Sequence, residues 1–310
     1  MVNLEVYDKA FEEQYYLKVK SKLTEKKIRK LVNSSKKFFQ SDFYSRTSEE
    51  ALRELILAPY SKLKETKEYI EKNSLHIMQS ECFRTTTKGK KVRRSAYNQL
   101  NSDFKSIMKM RINKEEVRVR IAKNNGKLTV CPYCNRDYIN SRGEDMSGAQ
   151  IDHFYSYAKY PIFTLCLYNL VPSCGNCNRI KNDSDIEYIS PWDQSVDWDS
   201  AVQFSCLPKS DEEYRVVITT KGSAKNNIDE MKIREAYSIH SVEVKELLEK
   251  HRFYCESQKE EMRTVMKNLP ISEQDIKRAV FGPPITSDMI KKKSLGRMTR
   301  DLHRELGIYH

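Results

Sequence analysis

The chain has 310 residues and carries 55 Lys and Arg against 43 Asp and Glu, a formal charge of +12. That length suggests about two domains and a core that needs no disulfides, while the basic excess favours polyanionic partners and leaves the fold undetermined. The first 16 residues carry Glu5, Asp8, Glu12 and Glu13 with no apolar leader, and no stretch approaches the ~18 apolar residues of a membrane span.

A cytoplasmic, reducing setting without a membrane is therefore expected, where the eight cysteines serve as metal ligands or thiols. Residues 1–125 form the first compositional region. Apolar spacing at Ile28, Leu31, Val32 and Phe38, and again at Leu52, Leu55, Ile56 and Leu57, predicts helices. Thr47-Ser48-Glu49-Glu50 reads as a capped helix start, with Glu50 placed for a capping box. Residues 84–94 read as a basic loop or turn, and Ser95 to about Asn124 as helix, stopped by Asn124-Asn125-Gly126. From Arg84 to Lys127 there are 14 Lys and Arg against Asp103, Glu115 and Glu116, a net +11. A solvated helix face accounts for many such runs. Here the run precedes a candidate phosphodiester site, so Lys88, Lys90, Lys91, Arg93 and Arg94 are expected nucleic-acid contacts.

The middle region, 126–205, changes character. Leu128-Thr129-Val130 is strand-prone. Tyr138 to Ile151, with Arg142-Gly143 as turn residues, reads as a hairpin, and Asn176 to Asn182 as a short helix. Pro191-Trp192-Asp193 closes the module. The last region, 206–310, contains a strand over Val216 to Thr220 and returns to helices. Met231 to Met266 supplies one or two of these, with His240, Val244, Leu247 and Leu248 along one face. The fold class expected is α+β.

Two Cys-x-x-Cys pairs, Cys131/Cys134 and Cys174/Cys177, stand 39 residues apart. Each pair presents two thiolates from one tight turn, and two pairs complete the tetrahedron that Zn²⁺ prefers. Such a closed site stabilises rather than catalyses. Cys82, Cys166, Cys206 and Cys255 have no partner at ligand spacing. Between the pairs lie Asp152-His153 and Asn169, and Asn178 follows the second pair directly. Asp152 and Asn178 offer hard oxygen ligands suited to Mg²⁺ or Mn²⁺. His153 is suited to activate a water as general base. Adjacent strand residues point to opposite faces, so Asp152 and His153 share a site only if the strand ends there and the backbone turns. Arg179 and Lys181 are expected near phosphate, with helix-surface charge as the plain alternative.

Together Cys131-Pro132-Tyr133-Cys134, Ile151-Asp152-His153-Phe154-Tyr155, Tyr160-Pro161, Asn169-Leu170-Val171-Pro172-Ser173-Cys174 and Cys177-Asn178-Arg179-Ile180-Lys181 resemble an HNH endonuclease of the ββα-metal class with an embedded zinc. The resemblance covers roughly a sixth of the chain. It implies a ββα-metal core with structural zinc, flanked by mainly helical regions. It makes His153 the base, Asp152 and Asn178 the ligands of the catalytic metal, and Asn169 the residue that ties the intervening loop by backbone hydrogen bonds. Many relatives carry Pro soon after the catalytic His, where Ser156-Tyr157 stands here. The layout is also similar to the nuclease subunits of Septu-type and retron-linked anti-phage defence systems, which implies DNA as substrate and an ATPase partner protein. No G-x-x-x-x-G-K-[ST] occurs, so ATP control would come from that partner. Two alternatives stay open: an RNA target, and a zinc module that binds nucleic acid without cutting it.

Overall fold

Helices open the chain, and several begin where the sequence provides an acceptor for orphan amides. A computed structural model describes residues 1–35, 47–73, 83–85, 91–93, 121, 128–142, 146–157, 159–182, 186–210, 213–265 and 272–309. In α1 (Lys9–Lys20), Asp8 Oδ1 accepts from Phe11 N at 2.7 Å. Helix α2 (Glu25–Ser35) follows, and α3 (Ser48–Ile56) starts with the expected capping box between Thr47 and Glu50. Helix α4 (Tyr60–Lys72) completes the set. Ile28, Leu31, Val32, Leu52, Leu55 and Ile56 are buried as their periodicity predicts, and Leu57 packs against the core; Phe38 lies outside the described residues.

The basic stretch contains two short paired strands, β1 (Phe83–Thr85) and β2 (Lys91–Arg93), with Phe83 opposite Arg93. Lys91 and Arg93 thus sit on a strand whose side chains are outside the described set. Lys88, Lys90, Arg94 and, apart from Ile121, the predicted helix over 95–124 also lie outside the described residues.

The middle region departs from the expected hairpin over 138–151. Tyr138 makes only an isolated bridge back to Val130, and Arg142 bridges Met146. Strand β3 (Gln150–His153) instead pairs antiparallel with β4 (Leu170–Ser173), Asp152 opposite Val171 and His153 opposite Leu170. The apolar run of β4 offers a fully buried partner about 20 residues on, and burial decides the pairing; Gly143 lies outside the described residues. The intervening segment forms two 3₁₀ turns, Pro161–Phe163 and Leu167–Asn169. Helix α5 (Gly175–Lys181) follows β4 and packs on β3.

Beyond it, α6 (Trp198–Ala201) leads into β5 (Val202–Pro208), paired along its length with β6 (Tyr214–Thr220), which contains the predicted strand. Helix α7 (Ala224–Asp229) follows, and α8 (Ile233–Tyr237), α9 (Ser241–Phe253) and α10 (Glu256–Val265) occupy the stretch read as one or two helices. Helices α11 (Glu273–Phe281), α12 (Ser287–Ile290) and α13 (Gly296–Glu305) end the described chain. The combination of helices with small antiparallel sheets is α+β. Among the described residues no helix is long and apolar enough to cross a membrane.

Both ends of the chain converge on the first cysteine pair. Val2 N donates to Pro132 O at 3.1 Å, and Leu4 N to Pro191 O at 2.8 Å. Asn135, just after Cys134, adopts a left-handed φ of 53° and is fully buried. Asparagine tolerates that conformation because its short side chain bonds locally. Here its Nδ2 donates to Ile290 O and its Oδ1 accepts from Arg297 N at 2.8 Å, which docks the C-terminal helices. Arg297, 1% exposed, in turn donates to Met1 O and Val202 O and pairs with Asp199.

Candidate functional site

Cys131, Cys134, Cys174 and Cys177 are all buried, and their sulfurs lie within 4.8 Å of one another. Ligands around a tetrahedral Zn²⁺ at about 2.3 Å would stand about 3.8 Å apart, so the set fits one ion with little adjustment. The turns are built for this. Cys131 N donates to Asp137 O, Asn135 N to Cys131 O, and Cys177 N to Cys174 Sγ, which caps α5. Burial pushes the Cys131 thiol up, while hydrogen bonds from Cys131, Cys174 and Cys177 pull Cys134 down. Four cysteine sulfurs are a donor set suited to a soft cation. Of the other cysteines, Cys166 is buried, Cys206 half-buried and Cys255 exposed; Cys82 lies outside the described residues.

Next to this cluster, β3 ends at His153 and the chain bends at Phe154 and Tyr155. That break lets neighbouring side chains serve one space. Asp152, His153 and Asn178 line a single open cavity of about 460 Å³, together with Gln150, Ser156 and Arg179. His153 Nε2 stands 3.2 Å from Thr164 O, in the loop between β3 and β4. A carbonyl only accepts, so Nε2 is the nitrogen that donates there. Tyr157 packs edge-on against the ring at 5.4 Å.

Asn169 is fully buried and ties that loop together. Its Nδ2 donates to Tyr155 O at 3.0 Å and Phe163 O at 3.1 Å, and its Oδ1 accepts from Tyr155 N at 2.8 Å. It does not line the cavity; it shapes the loop that carries Thr164 and follows His153.

Asp152 is buried. Its Oδ2 accepts from Tyr133 Oη at 2.6 Å, and Lys181 Nζ stands 3.2 Å from Oδ2 and 3.3 Å from Oδ1. Burial, with the Asp152 charge beside it, pushes the Tyr133 phenol far up, so it remains a donor. Lys181 is therefore turned inward rather than toward an incoming phosphate. It also donates to Phe154 O at 2.8 Å and His153 O at 3.3 Å, and lies over the Phe154 ring. The cause is helical phase: Cys177 faces inward, and Lys181 is one turn further on the same face. Arg179 stays exposed at the cavity, its guanidinium donating to Asn176 Oδ1 at 2.8 Å.

Two residues of the site escape motif reading. Gln150 stands two positions before Asp152 on the same strand face, and its Oε1 accepts from Asn178 Nδ2 at 2.9 Å. Tyr133, inside the first cysteine turn, reaches Asp152. The alternation of a strand and the compactness of a Cys-x-x-Cys turn are the signals that would have pointed to them. Comparison of the chain with protein-family models, curated proteins and solved structures finds no match.

Proposed function

We propose that this chain is a divalent-metal-dependent HNH endonuclease with DNA as its substrate. One observation carries the reading: His153, Asp152 and Asn178, from two separate segments, line one cavity, with the Nε2 of His153 turned to the carbonyl of Thr164. A module that only binds nucleic acid has no need of these three side chains together. The open shape of the cavity and the chain's +12 charge suit a phosphodiester backbone.

In this reading His153 Nδ1 removes a proton from a water as its oxygen attacks phosphorus. The P–O bond to the leaving oxygen breaks, and the proton stays on the imidazole until it returns to solvent. Asp152 and Asn178 would hold a Mg²⁺ or Mn²⁺ ion, which when bound neutralises charge at phosphorus and at the leaving oxygen. Asn169 and Thr164 orient His153, and Arg179 offers a guanidinium to a neighbouring phosphate. The four cysteines would hold a structural Zn²⁺ that keeps α5 against β3.

The test is a plasmid-cleavage time course in Mg²⁺ or Mn²⁺, with wild type beside His153→Ala, and duplex DNA competed by single-stranded DNA and structured RNA. Cleavage abolished by EDTA, and reduced about 10²–10⁴-fold in His153→Ala with substrate binding retained, is the expected result. Equal cleavage by both proteins would sink the assignment of His153, and stronger competition by RNA would move the substrate class.

A further inference from the structure

The two turns of the cysteine cluster each send one buried polar side chain to the same carboxylate. Tyr133 sits between Cys131 and Cys134 and is 1% exposed; its hydroxyl donates to Asp152 Oδ2 at 2.6 Å. Lys181 sits one turn beyond Cys177 and is 2% exposed; its ammonium contacts both oxygens of Asp152. Neither reaches solvent, so neither offers substrate a contact. Among the described residues, Asp152, the carbonyls of His153 and Phe154 and the Phe154 ring offset the desolvation that burying them costs.

From this geometry we infer that Tyr133 is a positioning residue for Asp152, through which the cysteine cluster sets the geometry of the cleavage site. The inference rests on the reading of Asp152 as a ligand of the catalytic metal. The Tyr133 hydroxyl engages Oδ2, and among the described residues Lys181 is the donor to Oδ1. The carboxylate is thereby fixed in rotation at the edge of the cavity. Without the hydroxyl, Oδ2 follows Lys181 alone, and the carboxylate turns about its Cβ–Cγ bond. Partners that orient a ligating carboxylate raise metal affinity by about 10–100-fold in comparable sites. The cluster therefore does more than stabilise the fold: a displacement of the Cys131–Cys134 turn moves the hydroxyl that holds the acid.

Tyr133→Phe removes one oxygen and leaves the ring in place, so it is the variant to make in the full-length, zinc-loaded protein. Its zinc content is measured first, and Mn²⁺ binding is then titrated by the loss of the free-ion electron paramagnetic resonance signal. The metal half-saturation and the maximal rate of cleavage are measured separately, with Asp152→Ala as reference. The expected result is unchanged zinc content and Mn²⁺ binding weakened about 10–100-fold. Cleavage should need correspondingly more metal, with the maximal rate falling much less. Wild-type Mn²⁺ affinity in Tyr133→Phe, while Asp152→Ala loses it, would overturn the inference alone. Loss of zinc from Tyr133→Phe would overturn it as well, because the hydroxyl would then serve the cluster and not the acid. If Asp152→Ala binds Mn²⁺ as wild type does, the cleavage-site reading fails first, and the inference with it.

Discussion

Replacing Asn169 with Ala should cost the protein its stability and its site together, and the structure supplies the magnitude. The side chain is fully buried and makes three hydrogen bonds, all to backbone groups of the loop between β3 and β4. Truncation leaves Tyr155 N, Tyr155 O and Phe163 O without that partner in the interior of the loop. Each unsatisfied buried group costs about 1–3 kcal/mol. The three act through one loop and are not additive, so about 4 kcal/mol is the expected total, a large share of the roughly 5–15 kcal/mol that keeps a domain folded. In a chain of this size the melting temperature should fall by roughly 10 °C. Asn169→Asp keeps the acceptor for Tyr155 N but turns a carboxylate toward two carbonyls, so it should be no milder. His153→Ala is the contrast. That side chain is half-buried, bonded to Thr164 O and packed on Tyr157, and its loss should move stability less than Asn169→Ala does while removing activity. Differential scanning calorimetry on the three variants decides. An Asn169→Ala protein that melts within about 2 °C of wild type would refute the claim that this side chain holds the loop.

Two further outcomes follow from buried groups. Cys174→Ser, or treatment with a strong zinc chelator, should lower bound zinc from one ion per chain and destabilise the whole protein. Structural zinc contributes on the order of 10 kcal/mol in small modules. Metal content by mass spectrometry, measured beside a thermal melt, checks this, and full stability without zinc would contradict it. His303 is buried, and burial, assisted by Lys293, lowers its pKa from 6.5 to about 4. The unfolded chain therefore takes up this proton first as pH falls, so stability is lost between pH 6.5 and about 4. Melting temperatures across that window should fall more steeply for wild type than for His303→Gln.

Local chemistry was the part of this molecule legible in its sequence. The capping box at Thr47 and Glu50 forms as read, and the helix expected over 176–182 spans Gly175–Lys181. Four cysteines at two tight spacings meet because each pair already shares a turn. Non-local choices were not legible. The partner of β3 was misread because Arg142-Gly143 advertises a turn locally, whereas burial of Leu170 and Val171 rewards a strand far along the chain. Strand β5 was missed because its alternation breaks at Leu207-Pro208 and its burial alternates clearly only over Val202-Gln203-Phe204, and its pairing with β6 is what makes it a strand. Lys181 was read as a phosphate contact, or else as surface charge, because lysine is almost never fully buried without a partner. Its partner, Asp152, lies 29 residues away in sequence, and only the inward phase set by Cys177 hinted at it.

The size of the candidate site explains why so much chain surrounds it. Strands β3 and β4 have four residues each, and a two-stranded sheet of that length is marginal by itself. Its order must come from what touches it. The cysteine cluster grips one end through α5 and the Cys131–Cys134 turn. Trp192 Nε1 donates to Leu170 O at 3.1 Å on β4. The loop between the strands is held from the N-terminal region, where Tyr15 Oη donates to Leu165 O at 2.9 Å and Cys166 Sγ donates to Leu55 O at 3.0 Å. Tyr60 Oη meets Tyr155 Oη at 3.2 Å beside the bend that follows His153. From the other side, Asn135 ties the first cysteine turn to Ile290 and Arg297. The helical regions are thus walls of the same structure as the site. Each wall meets the segments that flank Asp152 and His153 through specific hydrogen bonds, so the geometry of the candidate site depends on the helical regions as well as on its own strands.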